Sequence, residues 1–149
     1  MDSVVTAGAG FLLAVLWFDF MFDVQVRGHA GDVLPESVLA SIAAYYRRVT
    51  TDARPMNRLV AAAMLATLVA LIAQLVGDDA PRWVSTVSVL LAVMAIGLAG
   101  RRTVPNAVRL GRRDEPIAKQ SALARSIARD HLFCLVSIGS MLLIQLIWA

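Results

Sequence analysis

The sequence has few of the residues from which disulfides, metal centres and nucleotide sites are built. It contains a single cysteine, Cys134, and two histidines, so it offers neither a cysteine pair for an intrachain disulfide nor a cluster of thiolates for zinc. It also lacks a Walker sequence, a glycine-rich dinucleotide fingerprint and a nucleophile elbow. The sequence therefore gives no support to nucleotide, zinc or serine-hydrolase chemistry, and it predicts no metal site.

Charged residues are scarce as well, and long apolar runs take their place. Only 17% of the residues are charged, whereas 58% are hydrophobic and the mean hydropathy is +0.69. This apolar share is well above that of ordinary soluble domains. We therefore predict an integral membrane protein that crosses the lipid bilayer several times and forms one domain over residues 1–149.

Hydropathy predicts four membrane spans, at about residues 4–26, 59–76, 83–104 and 131–148. A lipid-exposed segment must satisfy its own backbone hydrogen bonds, so each span is predicted to be helical. The opening residues lack the basic stretch of a signal peptide, and the first apolar run is interpreted as a retained span. The predicted fold is an all-α bundle of four transmembrane helices, in which the short turn GDDAPR makes spans two and three an antiparallel hairpin.

The two remaining connectors are long, and both carry helical patterns. In the first, Pro35 stands at a helix start, and the apolar residues that follow recur at spacings of three and four. This pattern predicts an amphipathic helix on the membrane surface, with its tyrosines at headgroup level, that ends before Pro55. In the second, Val104-Pro105-Asn106 is predicted to end span three. One long helix is then predicted from about Pro116 to Trp148, with its first part projecting into the cytoplasm.

The distribution of basic residues predicts the orientation. Thirteen of the fourteen lysines and arginines lie in the two long connectors, and Arg82 alone lies elsewhere. Because basic residues are retained on the cytoplasmic side, we predict a multi-pass protein of the cell (plasma or inner) membrane with both connectors in the cytoplasm and both termini outside. Trp83 and Trp148 would then meet at the outer interface. The basic face is expected to attract anionic lipids rather than nucleic acid.

Two carboxylates interrupt the first span. Asp19 and Asp23 are four residues apart and share one face of a helix. A charged side chain at the centre of a membrane helix costs about 2.5–3.5 kcal/mol on insertion scales, so such residues normally face the bundle interior with a partner. We expect Asp19 to pair with an arginine or with His131 from another span.

All four spans bring polar or ionisable residues to the depth of these carboxylates. His131 is the candidate proton carrier, because its unperturbed pKa lies near neutrality, and Asp19 or Asp130 could orient it. The other candidates for ligand binding or for the charge layer are Asp23, Tyr45, Tyr46, Asn57, Arg58, Arg101, Arg102, Asn106 and Arg129.

Three functions fit this layer. It is either a polar pocket in which a membrane enzyme holds a hydrophobic small molecule, or a charge-paired belt that fixes helix register in a structural or accessory subunit. A small transporter is the third hypothesis, although Thr67 is nearly the only polar residue in the middle of the bundle. No cofactor is required by the sequence; a haem bridged by His29 and His131 is the one considered. Association with a second copy or a partner subunit stays open.

A few residues resemble those of known families. Trp17 and Phe22 in the first span, which closes on Arg27 and His29, and Met56-Asn57-Arg58-Leu59 opening the second resemble the small four-span membrane proteins of the anthrone-oxygenase-like kind. The outline is also similar to the four-span protoporphyrinogen oxidase family, although Asp19 and Asp23 have no counterpart in that pattern. The resemblance implies an oxidoreductase or oxygenase that acts on a flat hydrophobic substrate.

Overall fold

The computed structural model describes residues 2–77 and 80–149, and in these ranges the chain is helical with no β-strand. The first helix is α1 (Asp2–Asp23), which a 3₁₀ helix extends over Val24–Gly28. The others are α2 (Glu36–Arg47), α3 (Arg54–Gly77), α4 (Arg82–Leu98), α5 (Val104–Arg112) and α6 (Ile117–Trp148), with π-helices at Arg48–Asp52 and Ala99–Thr103.

Four helical segments are long and apolar enough to cross a membrane. They are Ser3–Gly28, Pro55–Gly77, Arg82–Arg112 and Ile117–Trp148. Helix α1 packs against α6 and α3, and α4 packs against α6 and α3. The predicted all-α four-span bundle is therefore confirmed, and the chain is a multi-pass membrane protein. The hairpin of spans two and three is present as α3 and α4, while Asp78 and Asp79 of its predicted turn lie outside the described residues.

The molecule has two separate apolar cores stacked along α6. The bundle core lies between the four spans and includes Val5, Leu71, Ala92, Ile138 and Met141. The connector core lies at one end of the bundle and is built from the 3₁₀ extension, α2, α5 and the first half of α6. Its buried residues include Leu34, Leu39, Ile42, Tyr46, Leu110 and Ile127.

The amphipathic helix of the first connector is present as α2, but its apolar face does not meet lipid headgroups. Leu39, Ile42 and Tyr46 are at most 2% exposed and pack against α5 and α6. The approach to α5 is close, because a Cβ on Gly111 would lie 2.9 Å from the backbone nitrogen of Arg47. The depth of the tyrosines at headgroup level stays a prediction, but protein rather than lipid covers the apolar face of α2. The amphipathic pattern identified a buried face without showing whether lipid or protein covers it.

The sequence predicts that the third span ends at Val104-Pro105-Asn106. In the structure, the helix continues through Pro105. A π turn over Ala99–Thr103 widens the helix just before this proline, and the amide of Val104 donates to the carbonyl of Ala99. The wider turn accommodates a residue that cannot donate a backbone hydrogen bond and whose ring crowds the preceding turn. The helix therefore continues as α5 to Arg112, which carries α5 into the connector core.

The far end of the bundle follows the sequence expectations. Helix α6 runs without interruption from Ile117 to Trp148, as its lack of breakers predicts. Trp83 and Trp148 stack edge to face with their ring centroids 5.4 Å apart. The buried amides of Gln74 and Gln145 bond reciprocally at 3.1 Å, and Ser88 accepts a further bond from Gln145. These contacts set the register of α3, α4 and α6 at the end opposite the connector core.

Candidate functional site

The ionisable layer predicted from the sequence lies between the two cores. Helix α6 links them, because Ile127 belongs to the connector core and Cys134 to the bundle core. His131 lies between these two positions on the same face of α6, one turn from each. Its ring is therefore held between two packed apolar regions, with its side chain only 10% exposed.

Asp23 fixes the orientation of this histidine. Its carboxylate oxygen Oδ2 lies 2.6 Å from Nδ1 of His131, and Asp23 is fully buried. A carboxylate can only accept, so the imidazole carries a proton on Nδ1 and donates it to Asp23. The bond leaves Nε2 as the second ring nitrogen, free to hold or release a proton.

The connector helix α2 satisfies the other oxygen of Asp23. Tyr46 donates from its hydroxyl to Oδ1 of Asp23 at 2.6 Å, and the same hydroxyl lies 3.3 Å from Nδ1 of His131. A buried carboxylate is costly unless its oxygens accept hydrogen bonds. Here a tyrosine from the connector and a histidine from α6 supply one each.

Asp19 lies on the other side of the histidine ring. Its Oδ2 is 3.8 Å from Nε2 of His131, and its Oδ1 accepts a hydrogen bond of 2.7 Å from Tyr45. Tyr45 in turn stacks on Phe22 of α1, with ring centroids 4.0 Å apart. The expectation that Asp19 pairs with an arginine or with His131 is met by His131. At 3.8 Å Nε2 and Oδ2 are too far apart for a hydrogen bond, and they form an ion pair only when the imidazole is protonated. Nε2 therefore has no hydrogen-bond partner among residues 2–77 and 80–149.

Both tyrosines act as neutral hydrogen-bond donors. Burial, followed by the adjacent carboxylate of Asp23, raises the pKa of Tyr46 far above its ordinary value. Burial and the carboxylate of Asp19 raise the pKa of Tyr45 in the same direction. The two hydroxyls therefore keep their protons, and they offset the negative charge of two carboxylates without adding charge of their own.

Asp130 forms a second cluster instead of joining the histidine. Its Oδ2 accepts a bond of 3.3 Å from the hydroxyl of Thr103 and lies 3.2 Å from Nε of Arg102. Arg102 also donates to Ser126 at 2.9 Å. Thr103 was missed by the sequence prediction, because the π turn that directs it at α6 leaves no recognisable sequence pattern. Arg102 was expected at this depth, and it is the arginine that Asp130 uses.

Several predicted residues stay outside this arrangement. Arg58, Arg101 and Arg129 are exposed, and none of them forms an ion pair with a side chain that the structure describes. Asn57 is exposed and donates to the backbone carbonyl of Thr50 at 3.2 Å, at the rim of the site. Asn106 is half-buried on α5, with no hydrogen bond to its side chain in the described chain. The arginines were predicted from depth alone, and depth does not determine which side of a helix faces inward.

Two cavities meet at His131 and Asp19. The main cavity has a volume of about 300 Å³ and is bordered by Asp19, Tyr45, Tyr46 and His131 at one end and by apolar side chains elsewhere. The inner cavity, of about 110 Å³, extends from the same two residues toward Leu12, Met64 and Cys134. The two volumes together can hold a small apolar molecule whose polar end reaches Nε2 of His131.

The second histidine does not share these cavities. His29 lies after the 3₁₀ extension, where Nδ1 of its ring is 3.1 Å from the carbonyl of Gln25, and it borders a groove on the other side of α1. Within the described residues, no group of three or more His, Cys, Asp or Glu side chains is arranged to hold a metal ion.

Comparison of the chain with family models, with characterised proteins and with solved structures finds no match. The interpretation of the site therefore depends on its geometry.

Proposed function

We propose that this protein is a membrane enzyme that binds a hydrophobic small molecule in the main cavity and transfers a proton through Nε2 of His131. The observation that carries the proposal is the arrangement of the histidine, with Nδ1 bonded to buried Asp23 at 2.6 Å and Nε2 at the junction of two apolar cavities. A carboxylate behind one ring nitrogen orients an imidazole and stabilises its protonated form, as general acid–base catalysis requires.

The rim of the main cavity supports entry of the ligand from the bilayer. Phe18, Met56 and Val104 border the cavity and are 61%, 48% and 42% exposed, although all three are large and apolar. They belong to three different spanning segments. Exposed apolar side chains of membrane helices face lipid, so a molecule dissolved in the bilayer can reach the cavity without crossing water.

The reaction we propose starts with loss of a proton from an acidic C–H or O–H of the ligand to Nε2 of His131. Two carboxylates hold the imidazole ring of His131 while it gains positive charge. Asp19 accepts a hydrogen bond from Tyr45, and Asp23 accepts one from Nδ1 of the ring. The oxygenase class implied by the family resemblance adds one step, in which dioxygen oxidises the resulting anion. For a substrate with a methylene group, such as anthrone, the methylene group and one O₂ molecule give one carbonyl group and one water molecule. Atoms and electrons balance in this reaction.

Anthrone is the probe for this proposal, because it is flat and apolar and its methylene group is acidic. The purified protein in mild detergent is mixed with anthrone in the presence of air, and the appearance of the anion and of the quinone is followed by absorbance. His131→Gln should abolish the acceleration over detergent alone. His29→Gln is the matched control, because it removes the chain's other histidine from outside both cavities, and it should retain full activity.

Two results would count against the enzyme. One is an equal rate of anthrone oxidation with the wild-type protein, with His131→Gln and with detergent alone. The other is equal loss in both histidine variants. Native mass spectrometry of the untreated protein adds a separate measurement, since a retained quinone, haem, flavin or lipid would identify the ligand class directly.

The alternative is a structural or accessory subunit in which the same layer only fixes helix register. It is favoured by the full satisfaction of Asp23, whose two oxygens both accept short hydrogen bonds. Under this alternative, His131→Gln lowers the free energy of unfolding, anthrone is not bound, and the protein purifies in fixed ratio with a partner subunit.

For the localisation, we propose the cell (plasma or inner) membrane with both termini outside and the connector core in the cytoplasm. The support is the distribution of basic residues, thirteen of which lie in the two long connectors. The proposed active site then opens at the level of the cytoplasmic leaflet.

A further inference from the structure

A second concave site lies on the opposite side of α1 from the main cavity. It is a groove of about 290 Å³ between the end of α1 with its 3₁₀ extension and the middle of α6. We name it the arginine groove, because Arg27, Arg125 and Arg129 border it together with His29, Phe20 and Leu132. It shares none of these six residues with the two cavities at His131.

The positive charge of this groove is not neutralised by the protein. Arg125 donates to the backbone carbonyls of His29 and Gly31, which are uncharged acceptors. Arg27 lies over the ring of Phe20, 5.2 Å from its centroid, and Arg129 is exposed. Neither Arg27 nor Arg129 forms an ion pair with a side chain in the described part of the chain. Among the described residues that border the groove, Asp23 alone carries a carboxylate, and its oxygens accept hydrogen bonds from Tyr46 and His131.

The groove also continues onto an apolar surface. Leu132 lies less than one turn beyond Arg129 on α6 and is 38% exposed, and Val136, one turn further, is 60% exposed. On α1, Trp17 lies less than one turn before Phe20, on the side away from Arg27, and is 61% exposed. Three guanidinium groups thus adjoin exposed apolar residues of two spanning helices. A soluble anion would contact only the guanidinium groups, whereas a lipid would contact both the guanidinium groups and the apolar residues.

We infer that the arginine groove binds the phosphate headgroup of an anionic phospholipid, whose acyl chains lie along α1 and α6 beyond Phe20 and Leu132. Guanidinium groups bind phosphate oxygens through paired charge-assisted hydrogen bonds. Basic pockets between membrane helices at the headgroup level recognise lipids in this way. The inference does not depend on catalysis at His131, and it holds for either orientation in the membrane.

Native mass spectrometry of the purified protein can test this site with three defined additives: phosphatidylglycerol, phosphatidylcholine and inorganic phosphate. The test variant is Arg27→Gln/Arg129→Gln. The matched control is Arg48→Gln/Arg112→Gln, which removes the same charge from two exposed arginines outside the groove. Arg129→Gln alone is a second test variant, because the side chain of Arg129 forms no hydrogen bond or ion pair with the described residues. Circular dichroism verifies that each variant is folded.

The wild-type protein should bind one phosphatidylglycerol molecule in preference to phosphatidylcholine. Each arginine near the surface contributes about fivefold in affinity, so Arg129→Gln should weaken binding about fivefold and the double variant about 25-fold. The control pair should change it less than twofold. An equal loss in the control pair would overturn the inference in favour of diffuse attraction to a basic face. Tight binding of inorganic phosphate would identify a phosphate site with no lipid specificity, and it would overturn the inference too.

Discussion

Asp23 shows how a membrane helix accommodates a carboxylate that no water reaches. Its side chain is fully buried, yet both oxygens accept hydrogen bonds, one from Tyr46 and one from His131. Removal of one partner from a buried charged pair usually costs about 3–5 kcal/mol, because it leaves a charge without compensation. The same bond that stabilises Asp23 therefore fixes the proton of His131 on Nδ1.

The pair of carboxylates could be predicted from the sequence, but their donors could not. Asp19 and Asp23 share a helix face and need partners, which follows from spacing and from the cost of charge in lipid. Tyr45 and Tyr46 were expected near the two carboxylates but not as their hydrogen-bond donors. The sequence could not show that α2 turns its apolar face into the protein. That orientation depends on contacts between α2, α5 and α6, which are distant in the chain.

The titration of the tyrosines provides the first prediction at this scale. The protein contains only two tyrosines, Tyr45 and Tyr46, and burial raises the pKa of both above the ordinary value of about 10. Below that value both are neutral in the folded and unfolded states, so the stabilisation is fully present. Above about pH 10 the unfolded chain ionises while the folded chain does not, and the free energy of unfolding falls as pH rises.

Near-ultraviolet absorbance of phenolate measures this directly. The folded protein in detergent should show almost no phenolate at about pH 11, and the signal should appear together with the loss of helical circular dichroism. Tyr45→Phe leaves Tyr46 as the one phenol of the chain that can ionise, and phenolate should still appear only with unfolding. Phenolate formed near pH 10 with the helices intact would mean that the hydroxyls do not donate to buried carboxylates.

At the scale of helices, the sequence predicted which segments are helical better than where they end. The uninterrupted α6 followed from the absence of breakers after Pro116. The end of the third span was mispredicted, because Pro105 normally stops a helix. The π turn before it let the helix continue, and this small change in backbone spacing delivers Thr103 to Asp130.

Close packing of α1 on α3 gives the second prediction. A Cβ on Gly8 would lie 2.0 Å from Oγ1 of Thr67 and 3.2 Å from its Cβ, whereas a Cβ on Gly10 would meet nothing within 4 Å. Thr67 is 1% exposed and donates to the carbonyl of Ala63, so it has little room to move. Gly8→Ala should lower the free energy of unfolding by about 1–3 kcal/mol, and Gly10→Ala should leave it unchanged or raise it by up to about 1 kcal/mol.

Denaturation of the purified variants in mixed micelles checks the comparison. Thr67→Ala removes the hydroxyl that the new methyl group would meet, so Gly8→Ala should cost much less in that background than in the wild-type protein. Equal costs in the two backgrounds, or equal effects of Gly8→Ala and Gly10→Ala, would contradict the close contact of α1 with α3.

At the scale of the whole molecule, the two cores divide the chain by environment. The bundle core is formed by helices long and apolar enough to cross a membrane, and the connector core is formed by segments that carry seven of the fourteen lysines and arginines. The proposed active site lies where these regions meet, and the arginine groove lies at the same level on the outside of the bundle. Both sites would therefore face the side of the membrane on which the connector core lies.

The last prediction concerns the orientation of the protein in the membrane. The orientation determines which membrane leaflet the proposed active site and the arginine groove face. Because thirteen of fourteen basic residues lie with the connectors, we expect that side to be cytoplasmic. In a Cys134→Ala background, single cysteines at Ser3 and Arg112 place one thiol at each end of the bundle on exposed positions. A membrane-impermeant maleimide added to intact cells should label Ser3→Cys at once and Arg112→Cys only after the membrane is permeabilised. Labelling of Arg112→Cys in intact cells would reverse the orientation, and it would place the opening of the main cavity and the phosphate site of the arginine groove in the outer leaflet instead.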